Sequence, residues 1–200
     1  MKKKTNWQKK IKMKFSTDWF TNNILNFEEC MKSIGGTHDK FLEIGVFEGR
    51  STCWLLKHGL NDDGTIFCID SFYGVDGYVN NKLKQKFEDN ILEIKKPTQK
   101  VNLYSSTSYN GLAEIIYEKY GEFKFIYIDG AHDARTTLSD ACMAWGILDK
   151  GGVMLFDDYE WQHGETEQEK PKLAVDCFLE TFKGKYEILF KNYQLGVKKL

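Results

Sequence analysis

The chain has 200 residues, 42% hydrophobic and 28% charged, with 17 glycines and only 2 prolines. That length and balance suit one sizeable core and exclude a disordered or fibrous protein, and no apolar run approaches the roughly 18 residues of a membrane helix. The net charge of −1 hides an asymmetry, because seven lysines fall in the first 14 residues without an acid and residues 15–200 carry −8; a globally basic nucleic-acid binder is disfavoured.

The lysine stretch has no apolar segment behind it, so it does not read as a secretory leader. The expectation is a solvated arm over 1–15, ahead of one domain over 16–200, in the cytoplasm. Cys30, Cys53, Cys68, Cys142 and Cys177 are odd in number and form no CxxC pair. Neither a zinc site nor a disulfide framework is indicated, and the thiols read as small hydrophobes in a reducing compartment.

In chain order, Ser16-Thr17-Asp18 can cap a helix to about Ser33, with Trp19, Phe20, Ile24, Leu25, Phe27 and Met31 near helical spacing. Lys40 to Gly45 is a short apolar run ending in glycine, as a buried strand does. Ser51–His58 reads as helix, and the turn Asn61-Asp-Asp-Gly64 leads into a second strand, Thr65–Asp70. Loop follows from Ser71 to Asn81, then helix over 82–94, strand Lys100–Tyr104, helix Asn110–Tyr120 and strand Phe123–Asp129. A helix over 134–148, a Lys150-Gly-Gly152 turn, a strand Val153–Asp157 and a Pro171-led helix to Phe182 come next. Tyr186–Phe190 and Gln194–Lys198 close the chain as an antiparallel hairpin.

Strands alternating with helices in this way give an α/β protein whose parallel sheet is covered on both faces. Ligands then bind beyond the carboxyl ends of the strands, where Gly45, Asp70, Asp129 and Asp157 fall. Glu43-Ile-Gly45-Val-Phe-Glu-Gly49 is a GxxxG loop with an acid ahead of it, which suits a cationic ligand better than a diphosphate. Alone, it also reads as an ordinary strand-to-helix turn. Asp70, at the end of the second strand, can accept both hydroxyls of a ribose. Ser105-Ser106-Thr107 would then sit beside the base, or simply cap the next helix.

Asp129-Gly-Ala-His132 and Phe156-Asp157-Asp158-Tyr159 end neighbouring strands, so three carboxylates share one rim. Clustered carboxylates repel unless protonated or bound to a cation, and an all-oxygen set with open positions suits Mg²⁺ or Mn²⁺. His132 is placed to take a proton from a hydroxyl held there. Capping by Asp133 or Asp157 is the plainer alternative. Trp161, His163 and residues 160–170 are candidates to cover an acceptor, as is the wall from Phe72 through Tyr78.

Together, these motifs resemble the class I S-adenosylmethionine-dependent methyltransferases. More narrowly they resemble the type 24 family beside the catechol and macrolide-sugar O-methyltransferases, from Phe41 to the closing Tyr193-Gln-Leu-Gly-Val-Lys-Lys199. The resemblance implies a Rossmann-like three-layer sandwich, a seven-stranded mostly parallel sheet with an antiparallel C-terminal hairpin. It implies that Glu43, Gly45, Phe47 and Gly49 line the methionine side of the cofactor, with Ser51 near its carboxylate. Asp70 and Ser71 would meet the ribose, Ser106 and Thr107 the adenine, and Asp129 would stand beside the cofactor. It also implies Mg²⁺ on Asp129, Asp157 and Asp158, with His132 as base. Phe47 takes the place of the middle glycine of the common GxGxG form, and Asp158 stands where catechol enzymes have asparagine, which favours the sugar type. The implied activity is methyl transfer to a sugar hydroxyl on a glycan or glycosylated metabolite, with a small catechol as the second acceptor. A hydroxylase on the same scaffold and a non-catalytic cofactor-binding relative are the other readings. No nucleic acid is expected as partner, and a homo-oligomer is compatible with so short a chain, since a neighbouring subunit could help shape the acceptor site.

Overall fold

The computed structural model describes residues 13–73 and 80–200. Most of the lysine arm, and the part of the expected acceptor wall at 74–79 that includes Tyr78, lie outside the described residues. Seven strands form one sheet: β1 (His38–Ile44), β2 (Leu60–Ile69), β3 (Lys100–Tyr104), β4 (Phe123–Ile128), β5 (Leu148–Phe156), β6 (Tyr186–Lys191) and β7 (Leu195–Lys199). Their order is β3-β2-β1-β4-β5-β7-β6. The first five pair in parallel, and β7 runs antiparallel to both β5 and β6. The helices are α1 (Ile24–Ser33), α2 (Arg50–His58), α3 (Asn81–Ile94), α4 (Ser108–Tyr117), α5 (Ala134–Ile147) and α6 (Pro171–Thr181). Among the described residues no helix is long and apolar enough to cross a membrane.

Strand alternation sorts the core into two layers. Phe41, Phe125 and Tyr127 pack with Phe27 and Trp54 on one face of the sheet, while Leu42, Ile44, Ile126 and Ile128 pack with Trp145 and Phe178 on the other. The chain order reverses between β1 and β4, so the crevice at a topological switch point opens above these two strands.

The parallel ladder runs one residue past each strand end. Gly45 N–H donates to Ile69 O, Asp70 N–H to Tyr104 O, Asp129 N–H to Ile44 O and Asp157 N–H to Ile128 O, at 2.8, 3.1, 2.8 and 3.0 Å. These bonds fix four strand-end residues along a single rim.

Four local expectations change. The first helix does not follow directly on Ser16-Thr17-Asp18: a 3₁₀ turn, Thr21–Asn23, precedes α1, and Asp18 Oδ1 accepts from Thr21 N–H at 3.0 Å. The turns Asn61–Gly64 and Asp149–Gly152 do not precede their strands but protrude from them, between ladder pairs His38–Leu60 and Lys40–Thr65 in one case and Phe123–Leu148 and Phe125–Val153 in the other. Helix α4 begins at Ser108, capped by Thr107, which accepts from Asn110 N–H. Met13 and Phe15, inside the stretch read as a solvated arm, pack against the α1–α3 layer.

Candidate active site

One large cavity, about 1370 Å³, lies along the rim. That exceeds the roughly 300–1,000 Å³ usual for one small-molecule site, so there is room for two ligands. Of the residues expected at a cofactor, Gly45, Phe47, Ser51 and Asp70 line it, as do Ser71, Ser106, Thr107 and Asp129. Glu43 and Gly49 do not; they lie behind the wall.

Gly45 has φ +83°, and a Cβ there would stand 1.8 Å from the carbonyl oxygen of Asp129. Only glycine lets the ends of β1 and β4 approach so closely. Glu43 is fully buried beneath this point and accepts from the hydroxyls of Ser51 and Thr52, the latter at 2.6 Å. Burial pushes its carboxyl up to about 7, partly offset by those two donors. Ser51 is therefore turned toward Glu43.

Asp70 is also engaged within the protein. Its Oδ2 accepts from the backbone N–H groups of Val46 and Phe47, both at 2.9 Å, and its Oδ1 from Phe72 N–H at 2.7 Å. Phe47 has φ +48° and Phe72 +50°, conformations that strain a side chain with a Cβ. The carboxylate compensates that strain, and of its four lone-pair positions one, on Oδ1, is left open.

The β4–β5 side of the rim differs. The Tyr127 hydroxyl lies 2.5 Å from Asp157 Oδ2 and 3.0 Å from Asp129 Oδ2. Asp157 Oδ1 accepts from Asp158 N–H at 2.9 Å and from Gln194 Nε2 at 3.0 Å. Asp158 (φ +54°) accepts from Tyr193 Oη at 2.7 Å and faces His132 Nε2 at 2.7 Å. Burial and then the charges of Asp157 and Asp158 raise the Asp129 carboxyl well above the usual range. Burial and then Asp158 raise Asp157 as well. The hydrogen bond to Asp158 raises His132.

Asp129, Asp158 and His132 each offer one ligand atom within 4.8 Å of the others. An octahedral ion with bonds of about 2.1 Å needs cis ligands about 3.0 Å and trans ligands about 4.2 Å apart, so the two carboxylates fit a divalent cation with small side-chain adjustments, and His132 stands beside it. Asp157 is not in that group; Tyr127 Oη, Asp158 N–H and Gln194 Nε2 donate to it.

The far wall comes from the N-terminal segment. Ser16 bonds Glu48 through N–H and hydroxyl at 2.6 and 2.5 Å, and Arg50 pairs with Asp18 at 3.0 Å. This strap sets Trp19 against Phe47, with ring centroids 5.2 Å apart. Trp161 stacks on His132 at 5.0 Å and meets His163 edge-on at 5.4 Å. Tyr73, Trp161 and His163 all line the cavity. Tyr127, Tyr193, Gln194 and Trp19 were missed from the sequence. Tyr127 had a signal, since two residues before Asp129 on one strand puts both on the same face; the hairpin residues had none.

Fold and rim define an α/β enzyme that binds its ligands at the switch point of a mostly parallel sheet. The family model described as a methyltransferase domain, type 24, matches residues 42–159, and the chain belongs to that family. An O-methyltransferase from Bacillus cereus, crystallised with SAH, is similar over 92% of this chain and 84% of its own, with TM-score 0.69 and 18% identity. CalS11, a TDP-rhamnose 3'-O-methyltransferase of calicheamicin biosynthesis, is similar over 88% and 79%, with TM-score 0.60 and 13% identity. An rRNA methylase from Streptococcus thermophilus is similar over 88% and 96%, with TM-score 0.59 and 12% identity. No curated protein sequence matches the chain.

Proposed function

We propose that this methyltransferase transfers the methyl group of S-adenosylmethionine to a sugar hydroxyl, on a glycan or glycosylated metabolite, assisted by Mg²⁺ or Mn²⁺. The observation that carries this reading is the grouping of Asp129, Asp158 and His132 beyond the glycine loop, in a cavity large enough for cofactor and acceptor together. The likeness to a sugar 3'-O-methyltransferase supports the acceptor class, and so does a wall that combines aromatic Trp19 and Trp161 with polar Asn22, Asn26 and His163.

The cofactor would lie over Gly45, with its ribose toward Asp70 and its adenine toward Ser106 and Thr107. Asp129 and Asp158 would hold the cation, with Asp157 orienting them. Bound there, a divalent cation lowers the pKa of a hydroxyl it contacts and fixes that hydroxyl's direction. His132 would take the acceptor proton as the C–O bond forms and the sulfonium C–S bond breaks, releasing S-adenosylhomocysteine. Holding the two reactants in line supplies much of the acceleration.

The test is a methyl-transfer screen over deoxy-sugar nucleotides, glycosides and catechols, reading S-adenosylhomocysteine formed. Turnover with a sugar hydroxyl supports the reading, whereas turnover confined to catechols replaces the acceptor class.

A further inference from the structure

Gln194 is fully buried at the start of β7, and its amide is used at both ends. Its Nε2 donates to Asp157 Oδ1 at 3.0 Å, and its Oε1 accepts from Asn26 Nδ2 at 2.9 Å. Asn26 fixes which way round the amide sits, because Asn26 and Asn192 also exchange hydrogen bonds of 3.1 and 3.2 Å. A continuous polar line thus runs from α1 through Asn26 and Gln194 to Asp157, then Tyr127 and Asp129.

Tyr127 has one hydroxyl proton and two carboxylates to give it to. Asp157 holds it, at 2.5 Å against 3.0 Å for Asp129. Asp157 keeps that hold because Gln194 and Asp158 N–H tie down its other oxygen. Freed from Gln194, Asp157 could turn away, and Tyr127 would then donate fully to Asp129 Oδ2, taking one of its lone pairs and part of the charge a cation would draw on.

We propose that Gln194 is a positioning residue for the cation site: by keeping Asp157 against Tyr127, it leaves the Asp129 carboxylate open to a divalent ion. The inference rests on the cation reading above, but nothing in that reading assigns a role to Gln194 or Asn26. Residues that orient ligands from behind typically change metal affinity by about 10–100-fold.

The experiment measures Mn²⁺ binding to the whole protein, by calorimetry and by the paramagnetic resonance signal of free Mn²⁺. S-adenosylhomocysteine binding reports an intact fold. Gln194→Met keeps the side-chain length and removes the amide; it should weaken Mn²⁺ by about tenfold or more while still binding S-adenosylhomocysteine. Asn26→Asp, which turns the Gln194 NH₂ toward itself, should weaken Mn²⁺ in the same direction. Adding Tyr127→Phe to Gln194→Met removes the competing hydroxyl and should restore most of the affinity, a rescue that a purely structural role would not give. If the wild type binds Mn²⁺ and Gln194→Met binds it equally well, or if Tyr127→Phe gives no rescue, the inference fails and the cation reading stands. If the wild type binds S-adenosylhomocysteine but no Mn²⁺, the cation reading fails and the inference with it.

Discussion

The two halves of the rim treat their acids in opposite ways. On the β1–β2 side, Glu43 and Asp70 are apart and each is satisfied from within, by Ser51 and Thr52 in one case and by three backbone amides in the other. On the β4–β5 side, Asp129, Asp157 and Asp158 face one another, and neighbouring charge adds to burial in raising Asp129 and Asp157. The first half is complete without a ligand, and its acids shape the glycine loop. The second half crowds three carboxyls against one another, and a cation is the natural complement.

The sharpest way to break this contrast is Asp158→Ala. It leaves the β1–β2 side untouched, so S-adenosylhomocysteine binding should persist while turnover falls by at least about a thousandfold, about 4 kcal/mol of transition-state stabilisation. Calorimetry with steady-state assay checks both halves. Gly45→Ala tests the junction between them. With a Cβ 1.8 Å from the Asp129 carbonyl, the ends of β1 and β4 must separate, and denaturant unfolding should show a loss of about 3 kcal/mol.

Asp70→Ala should cost less, about 2 kcal/mol, by leaving the amides of Val46, Phe47 and Phe72 without their charged acceptor. Loss of cofactor affinity with no loss of stability would mean that Asp70 serves the ribose alone. Glu43→Gln has little effect near pH 5, where the wild-type carboxyl is protonated, and its signature is a slope. A folded-state carboxyl raised to about 7 holds more protons than the unfolded chain above its ordinary 4.5. The wild type should therefore lose stability as pH rises from about 5 to 7, and Glu43→Gln should flatten that loss by up to about 3 kcal/mol. Parallel stability curves for the two proteins would show that Glu43 does not titrate in this range.

Four of the five parallel strands were legible because each is a short apolar run ended by a glycine or an acid, and the unburied edge strand was legible too. Lys100–Tyr104 was read to the residue. The same logic located Gly45, Asp70, Asp129 and Asp157 at one edge. The turns at Asn61–Gly64 and Lys150–Gly152 were legible as turns, but their place inside a strand was not, because pairing on both sides depends on β1 and β4. Residues 16–23 looked helical because Trp19 and Phe20 have the right spacing. There Ser16 and Asp18 bond Glu48 and Arg50 and hold the chain as a strap.

At the site, the residue types were legible and their partners were not. Thr107 was open between adenine contact and helix cap, and its hydroxyl caps α4. Asp157 looked equivalent to Asp158, but Tyr127 and Gln194 distinguish the two. Gln194 is 37 residues from Asp157 and reaches it only because the closing hairpin folds back beside β5. No local pattern carries that information.

The claim at the centre of this account is that the β4–β5 acids need a cation to act. The direct measurement is S-adenosylhomocysteine formation with the best sugar acceptor from the screen, by protein stripped with EDTA and then titrated with Mg²⁺ or Mn²⁺. The account predicts almost no product in EDTA and saturable recovery on adding either ion, with no recovery in Asp158→Ala. Full activity in excess EDTA, unchanged by Asp158→Ala, would contradict it.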